Sequence, residues 1–511
     1  MTEKPQFEVV IIGAGFSGIG AGILLDKSSI RDWVILEEGA GVGGAWYWNT
    51  YPGVGVDIPS YSYQFSFERN PEWSRVYAPG AELRGYAEHC VSKYGLADRI
   101  RFDTTVVAAE FDQEAALWRV RTRSGDVVTG RYVINATGQL TKPKLPDIAG
   151  LDTFRGAIVH TARWSDDIDL TGKRVAVIGT GASALQAIPI IAEEVEHLTV
   201  FQRTPIWCLP KPDIGLPSSV RFLFRRIPPL SYGPRLAAHA FAELEFPLTF
   251  QFGATLPLPQ VAEYIGRAFL RSQVADPVTR EKLTPRYSFG CKRPSISNTY
   301  LRTFNRDNVE LVTDPIGAVT TDGITAGGRN AQFDVIILAT GFKVFDGGNL
   351  PAFPITGVDG VDLEGWWAKE RLQAYEGVSV PRFPNFFWIF GPYGYNGTSY
   401  FRLIEHQMHH ILRCLKKARR SGATRIEISE SANARFFQSV LARRKHQVFY
   451  SANCATANSY YFDQHGDVPW RAATTPEIIL RSKTFSLGDY HFTGPRAAHP
   501  IEADASSRGR R

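Results

Sequence analysis

The sequence predicts an α/β protein made of two interleaved doubly wound domains, the second carrying a helical insertion. Two observations predict it. A short apolar strand runs into a glycine turn twice, at Gly13-Ala14-Gly15-Phe16-Ser17-Gly18 and at Gly179-Thr180-Gly181-Ala182-Ser183-Ala184. A strand of buried type ends in Ala-Thr-Gly twice, at Ala136-Thr137-Gly138 and at Ala339-Thr340-Gly341. The two signals alternate along the chain, so the units interleave and do not form a solenoid of repeats.

Composition bounds the class. The 511 residues, 44% of them hydrophobic, supply enough core for two or three domains. A net charge of +6 without long Lys/Arg blocks argues against nucleic acid, and the terminal Arg508-Gly509-Arg510-Arg511 is a solvated tail. Aromatics at 12% suit wide pockets for flat or apolar molecules, and suit plain core packing equally. Cys90, Cys208, Cys291, Cys414 and Cys454 are scattered with no C-x-x-C, so neither a disulfide framework nor a dithiol reductase is expected. No metal site is expected. The first residues lack the apolar core of a signal peptide, and no apolar run approaches ~18 residues. A soluble protein of a reducing cytoplasm is expected.

Glu8 to Ile12 is an apolar run fit for a buried parallel strand. The glycines follow, Ile19 to Lys27 reads as a helix, and Trp33 to Leu36 is the next strand, ending in Glu37. This is the Rossmann dinucleotide fingerprint in its required context. Gly13, Gly15 and Gly18 serve the turn, the approach to a pyrophosphate and the helix–strand packing, and the helix N-terminus offers free N–H groups. Glu37, 24 residues after Gly13, is placed to accept from a ribose. Gly41 to Asp57, too rich in glycine and aromatics for a helix, is expected to be a loop laid along a flat ring system. Asp57 alone would be a cap or turn residue. Residues 101–138 alternate like β-ribbons, with Leu117-Trp118-Arg119-Val120 the clearest strand.

Arg174 to Gly179 opens the second unit, where Ala184 replaces the third glycine. Arg203 lies 24 residues after Gly179, the place that Glu37 holds in the first unit. An acid accepts from a ribose hydroxyl, whereas Arg pairs with a 2′-phosphate. The first site therefore prefers FAD or NAD and the second NADP. Residues 205–290 change character: a Pro-punctuated linker precedes helices such as Val220 to Arg226 and Gln260 to Gln273. They read as a helical insertion that shapes the entrance, with no single residue distinguished. In Gly290-Cys291-Lys292-Arg293-Pro294 the two cations are a solvated turn or a pair of anion partners, Lys292 for a phosphate and Arg293 for a developing oxyanion. Phe386 to Pro392 holds a late buried strand, and a helix is expected from Phe401 to Lys416. Residues 1–141 and 358–493 would form the first domain and 142–357 the second, including the insertion at 210–290. The tail 494–511 is expected to be disordered.

Between the glycine turns stands Phe154-Arg155-Gly156-Ala157-Ile158-Val159-His160-Thr161-Ala162-Arg163-Trp164, of pattern F-x-G-x-x-x-H-x-x-x-W. With Gly43, Gly44, Trp46, Tyr51, Pro52, Gly53 and Asp57, and with Phe201-Gln202-Arg203-Thr204-Pro205, Lys292-Arg293 and Phe304-Asn305-Arg306-Asp307-Asn308-Val309, it resembles type I Baeyer–Villiger monooxygenases, class B flavoproteins that use FAD and NADPH. The resemblance covers roughly residues 7–450.

It implies that Gly13, Gly15, Ser17, Gly18, Glu37, Gly44, Ala45, Trp46, Tyr63 and Val106 hold FAD. It implies that Thr180, Gly181, Ser183, Gln186, Arg203, Thr204 and Lys292 hold NADPH. Arg293 would stabilise the flavin peroxide and the negative intermediate, with Asp57 placing it. His160 and Trp164 would couple the domains. The implied reaction uses O2 and a small-molecule ketone to give an ester or lactone. A flavin monooxygenase acting on N or S, or a non-catalytic flavoprotein sensor, would share the nucleotide sites. Ser165 stands where Pro or Asp often follows in the family, Tyr460 where relatives place Trp, and the segment from Ser459 to Phe492 departs from the family pattern.

Overall fold

A computed structural model describes residues 3–165, 167–450 and 453–494. The strand Phe7–Ile12, fully buried from Val9, pairs in parallel with Trp33–Leu36 on one side and with Val127–Asn135 on the other. The helix Phe16–Lys27 connects the first two, as a right-handed crossover between parallel strands requires. The larger sheet runs Ile355–Thr356, Val106–Asp112, Leu117–Thr122, Val127–Asn135, Phe7–Ile12, Trp33–Leu36, Ile100–Arg101, with Phe386–Trp388 added in parallel to the end of Val127–Asn135. The three strands from 106 to 135 are antiparallel ribbons, as their alternation predicts.

The second sheet has five parallel strands in the order Val309–Val312, His197–Phe201, Arg174–Ile178, Val335–Leu338, Ala157–His160. Its crossover helix, Ala182–Glu194, starts at Gly181. The chain passes between the sheets twice, and the two passages touch. Lys144 N–H donates to Gly341 O at 2.9 Å, and Lys343 N–H donates to Lys142 O at 3.0 Å.

The insertion contains the expected helices, as Ser218–Arg226 and Leu258–Gln273. It also holds Tyr232–Glu243, which widens without a break into a π-helical turn, Leu244–Gln251. Gly41–Asp57 is not purely a loop: Ala45–Trp48 makes one helical turn, entered through Gly44 at φ +57°. The helix expected to end at Lys416 runs from Tyr400 to Ser421, because its last cations stay solvated on the outer face until Gly422 ends it at φ +68°. Neither a disulfide framework nor a dithiol reductase is expected, yet Cys291 and Cys454, 163 positions apart, form one disulfide with Cα atoms 5.0 Å apart. Spacing along the chain carries no signal for so distant a pairing. Gly494 is exposed, and the rest of the expected tail lies outside the described residues. Among the described residues, no helix is long and apolar enough to cross a membrane.

Candidate active site

The first glycine turn builds an anion cradle. Gly15 caps the helix Phe16–Lys27 with no side chain on the free N–H groups of its first turn, where Ser17 and Gly18 are buried. Gly44 faces it so closely that a Cβ on Gly44 would lie 2.9 Å from Gly15 Cα, on a backbone already at φ +57°. Two backbones meet there without side chains between them. Glu37 is buried at the strand end and accepts from Ala14 N–H at 2.5 Å and Gly39 N–H at 2.8 Å. Burial raises its carboxyl above the usual range against those two bonds. Ala45 and Trp46 lie in the adjoining helical turn, where Trp46 Nε1 donates to Tyr63 Oη at 3.3 Å. Val106, half-buried, starts a neighbouring strand.

The second turn repeats the cradle. Gly181 caps the helix Ala182–Glu194, again with no side chain on the free N–H groups, and a Cβ there would meet open space. Thr180 Oγ1 donates to Thr204 O at 3.0 Å, and Asn458 Nδ2 donates to Thr204 Oγ1 at 2.9 Å. Arg203 is exposed and Lys292 half-buried, and neither forms an ion pair among the described residues. Burial, with Arg203's charge beside it, pulls the Lys292 ammonium down to about 8. Two cations without an acid between them fit an anionic ligand.

Gln186 and Ser183 do not simply line this second site. Tyr51 Oη donates to Gln186 Oε1 at 2.8 Å, while Gln186 Nε2 donates to Gly55 O at 2.9 Å. Ser183 also hydrogen-bonds Tyr51, whose phenol burial pushes up to about 12. Gly53, at φ +80°, sits so near that a Cβ would come within 2.6 Å of Gln186 O. The loop of the first cradle is thus seated on the helix of the second.

Arg293 and Asp57 come together between the cradles. Arg293 Nε and Nη2 donate to Asp57 Oδ2 at 3.0 and 2.6 Å. Burial opposes the Arg293 charge, and Asp57 together with Tyr461, Tyr460 and Tyr395 more than offsets it, so the guanidinium stays protonated. Its flat face lies 5.1 Å from the Phe246 ring. Tyr395 and Tyr461, both buried, and Tyr460, exposed on its outer side, stand around the guanidinium and favour its charge. The disulfide of Cys291 fixes the chain immediately before Lys292.

His160 ends the strand Ala157–His160 at the double passage between sheets. Ala162 N–H donates to Nδ1 at 3.0 Å, which leaves the proton on Nε2, 3.3 Å from Thr340 Oγ1. Thr340 Oγ1 in turn donates to Lys144 O at 2.5 Å. Trp164 packs half-buried on the second core, and Arg163 stacks 4.4 Å from the Trp48 ring beside the first cradle.

Residues 10–217 match a family described as pyridine nucleotide-disulphide oxidoreductase. A Baeyer–Villiger monooxygenase of Pseudomonas aeruginosa is 36% identical over 510 residues, which cover 98% of this chain and 94% of that protein. One from Streptomyces coelicolor is 36% identical over 496 residues, covering 96% and 93%. The chain belongs to the Baeyer–Villiger monooxygenases. A solved structure of OTEMO in complex with FAD and NADP shares the fold of this monooxygenase with a TM-score of 0.85 at 30% identity, covering 96% of this chain and all of that one.

Both cofactors fit the residues of this Baeyer–Villiger chain. The Gly15–Gly44 approach admits a pyrophosphate and a flat ring at bare backbone, and the unpaired Arg203 and Lys292 suit a nucleotide phosphate. Sequence reasoning missed Glu245, Phe246 and Tyr395. No periodicity marks the first two inside the insertion. The run Tyr393-Gly394-Tyr395-Asn396-Gly397 was the available signal for the third.

Proposed function

We propose that this chain is an FAD-containing, NADPH-dependent monooxygenase that inserts one oxygen atom of O2 beside a ketone carbonyl, giving an ester or lactone. The observation that carries this is the Lys292-Arg293 dipeptide, whose first cation stands by Arg203 and whose second is clamped by Asp57. One short segment thereby addresses both redox partners.

Bound FAD, reduced by NADPH, supplies the oxygen activation. The chain's own groups do the rest. The free N–H groups at Gly15 to Gly18, with Glu37, Gly44, Ala45, Trp46, Tyr63 and Val106, hold FAD. Thr180, Gly181, Ser183, Arg203, Thr204 and Lys292 hold NADPH, while Gln186 holds the two cradles in register. Arg293, kept charged and oriented by Asp57, meets negative charge that develops on the ketone oxygen. Phe246, Tyr395 and Tyr461 shield its inner side from water, and Tyr460 stands exposed at the edge. The substrate is a small ketone with an apolar body, matched to those rings. The dependence on NADPH supports a cytoplasmic location, against which the Cys291–Cys454 disulfide stands. The two sheets support domains at 1–141 and 142–357, with the chain from 358 onward rejoining the first, although Ile355–Thr356 already pairs with the first sheet. His160 and Trp164 act at the coupling between them.

The test is anaerobic reduction by NADPH, followed by O2 and a panel of ketones, with products identified by mass spectrometry. An ester or lactone from at least one ketone is expected. Hydrogen peroxide alone with every ketone, at full FAD and NADPH occupancy, overturns the proposal.

A further inference from the structure

Glu245 stands in the π-helical turn Leu244–Gln251, a geometry that gathers at functional sites. The turn is held on three sides. Glu243 Oε1 accepts from Thr475 N–H at 2.9 Å, Gln251 Nε2 donates to Asn396 O at 3.1 Å, and Gln447 Nε2 donates to Gln251 Oε1 at 2.6 Å. The next residue, Phe246, lies against the Arg293 guanidinium, and a Cβ on Gly397 would come within 2.8 Å of Phe246 Cβ. Glu245 Oε2 is fully buried and has no hydrogen-bond partner. The charged groups that act on this carboxyl are Asp57 and Arg293, and the Tyr77 phenol, buried, lies within its field.

A half-buried carboxylate with one oxygen sealed away from water and from any donor, near a second carboxylate, is disfavoured. Arg293 gives two of its N–H groups to Asp57, and among the described residues no hydrogen bond joins it to Glu245. The charge Glu245 would carry therefore has no partner, and the proton stays on. We propose that Glu245 is a positioning residue for the reaction at Arg293: a neutral second carboxyl that leaves the guanidinium with one anionic partner and its remaining charge free for substrate. The inference rests on the function proposed above. Burial, then Asp57, pushes this carboxyl up to about 8, so the group is neutral below that pH and ionises above it. Ionisation adds a second negative charge facing Arg293 and cancels the field on which the ketone oxygen depends.

The experiment pairs two measurements on the FAD-loaded protein. Infrared spectra follow the carboxylic acid carbonyl band from pH 6 to 10 in wild type and in Glu245→Gln. The ester-forming kcat/KM for the ketone is followed over the same range with NADPH saturating at every pH, so that Lys292 does not contribute, and with Glu245→Asp as the conservative variant. Wild type is expected to lose one carboxylic acid band near pH 8, a band absent in Glu245→Gln. Its kcat/KM is expected to fall about tenfold for each pH unit above that value. Glu245→Gln should keep the neutral-pH rate within about threefold and lose the alkaline fall, and Glu245→Asp should restore it. An unchanged alkaline fall in Glu245→Gln, or a wild type with no such band at pH 7, overturns the inference. The infrared titration needs no turnover, so a band without any ester sinks the proposed function alone. Should Glu245→Gln fail to hold FAD, the wild-type titration still decides.

Discussion

Arg293 gives two hydrogen bonds to a single oxygen of Asp57, 236 positions away in the chain. A fork held at one point leaves its outer face open, toward Phe246 and the tyrosines. Replacing Arg293 with Ala should abolish ester formation while FAD is still reduced by NADPH. Asp57→Ala should retain reduction and lower ester formation by about 10²–10³-fold, the usual loss when a charge-stabilising group is displaced. Stopped-flow reduction rates and product yields measured side by side check both. A normal ester yield from Arg293→Ala would remove Arg293 from the assignment.

If Lys292 holds NADPH as proposed, binding is expected to be sensitive to alkali. Its folded value is lowered from the ordinary lysine range to about 8, so the free enzyme loses this charge as pH rises through 8. The KM for NADPH is expected to rise above that pH, while the KM for NADH moves little. Lys292→Arg should flatten the rise, since a guanidinium stays charged. Arg203→Ala should cost about 2 kcal/mol of NADPH binding, as expected for a lost charged hydrogen-bonding partner. The linkage to stability has the opposite sign. Between pH 8 and the unfolded value the unfolded chain binds the extra proton, so this group contributes stability as pH rises there. Steady-state kinetics with both nucleotides from pH 6 to 9.5 check the prediction.

Tyr51 and Gln186 join the two cradles by one hydrogen bond of 2.8 Å. Tyr51→Phe and Gln186→Ala should each raise the share of NADPH oxidised without product. A double-mutant cycle on that share and on NADPH affinity should return a coupling of about 1 kcal/mol. Strict additivity would mean the contact is passive.

The strand–glycine–helix units were legible because backbone chemistry dictates them: only a narrow set of residues builds a bare turn at a helix N-terminus. Glu37 and Arg203 fall where local spacing puts them, and Gly44 where the family resemblance puts it. Asp57 and Arg293 could be placed together only through the family resemblance, since nothing local ties two residues so far apart in sequence. The Cys291–Cys454 pair was invisible for the same reason. Glu245 was hidden differently. Its segment carries no periodicity to mark it, and the carboxyl acquires meaning only where the π-helical turn packs beside Arg293. The helix Tyr400–Ser421 outruns its expected end at Lys416 because the chain meets no left-handed stop before Gly422.

The seat of Tyr51-Pro52-Gly53 on the helix Ala182–Glu194 has a consequence for engineering. Exchanging the NADP unit for that of a relative cannot be done at the domain boundaries alone. A graft whose helix presents another residue at position 186, or a bulkier backbone contact under Gly53, arrives with its nucleotide pocket intact and misaligned. Residues 51–55 must travel with the graft, so the transferable piece is discontinuous in the gene although it is contiguous in space.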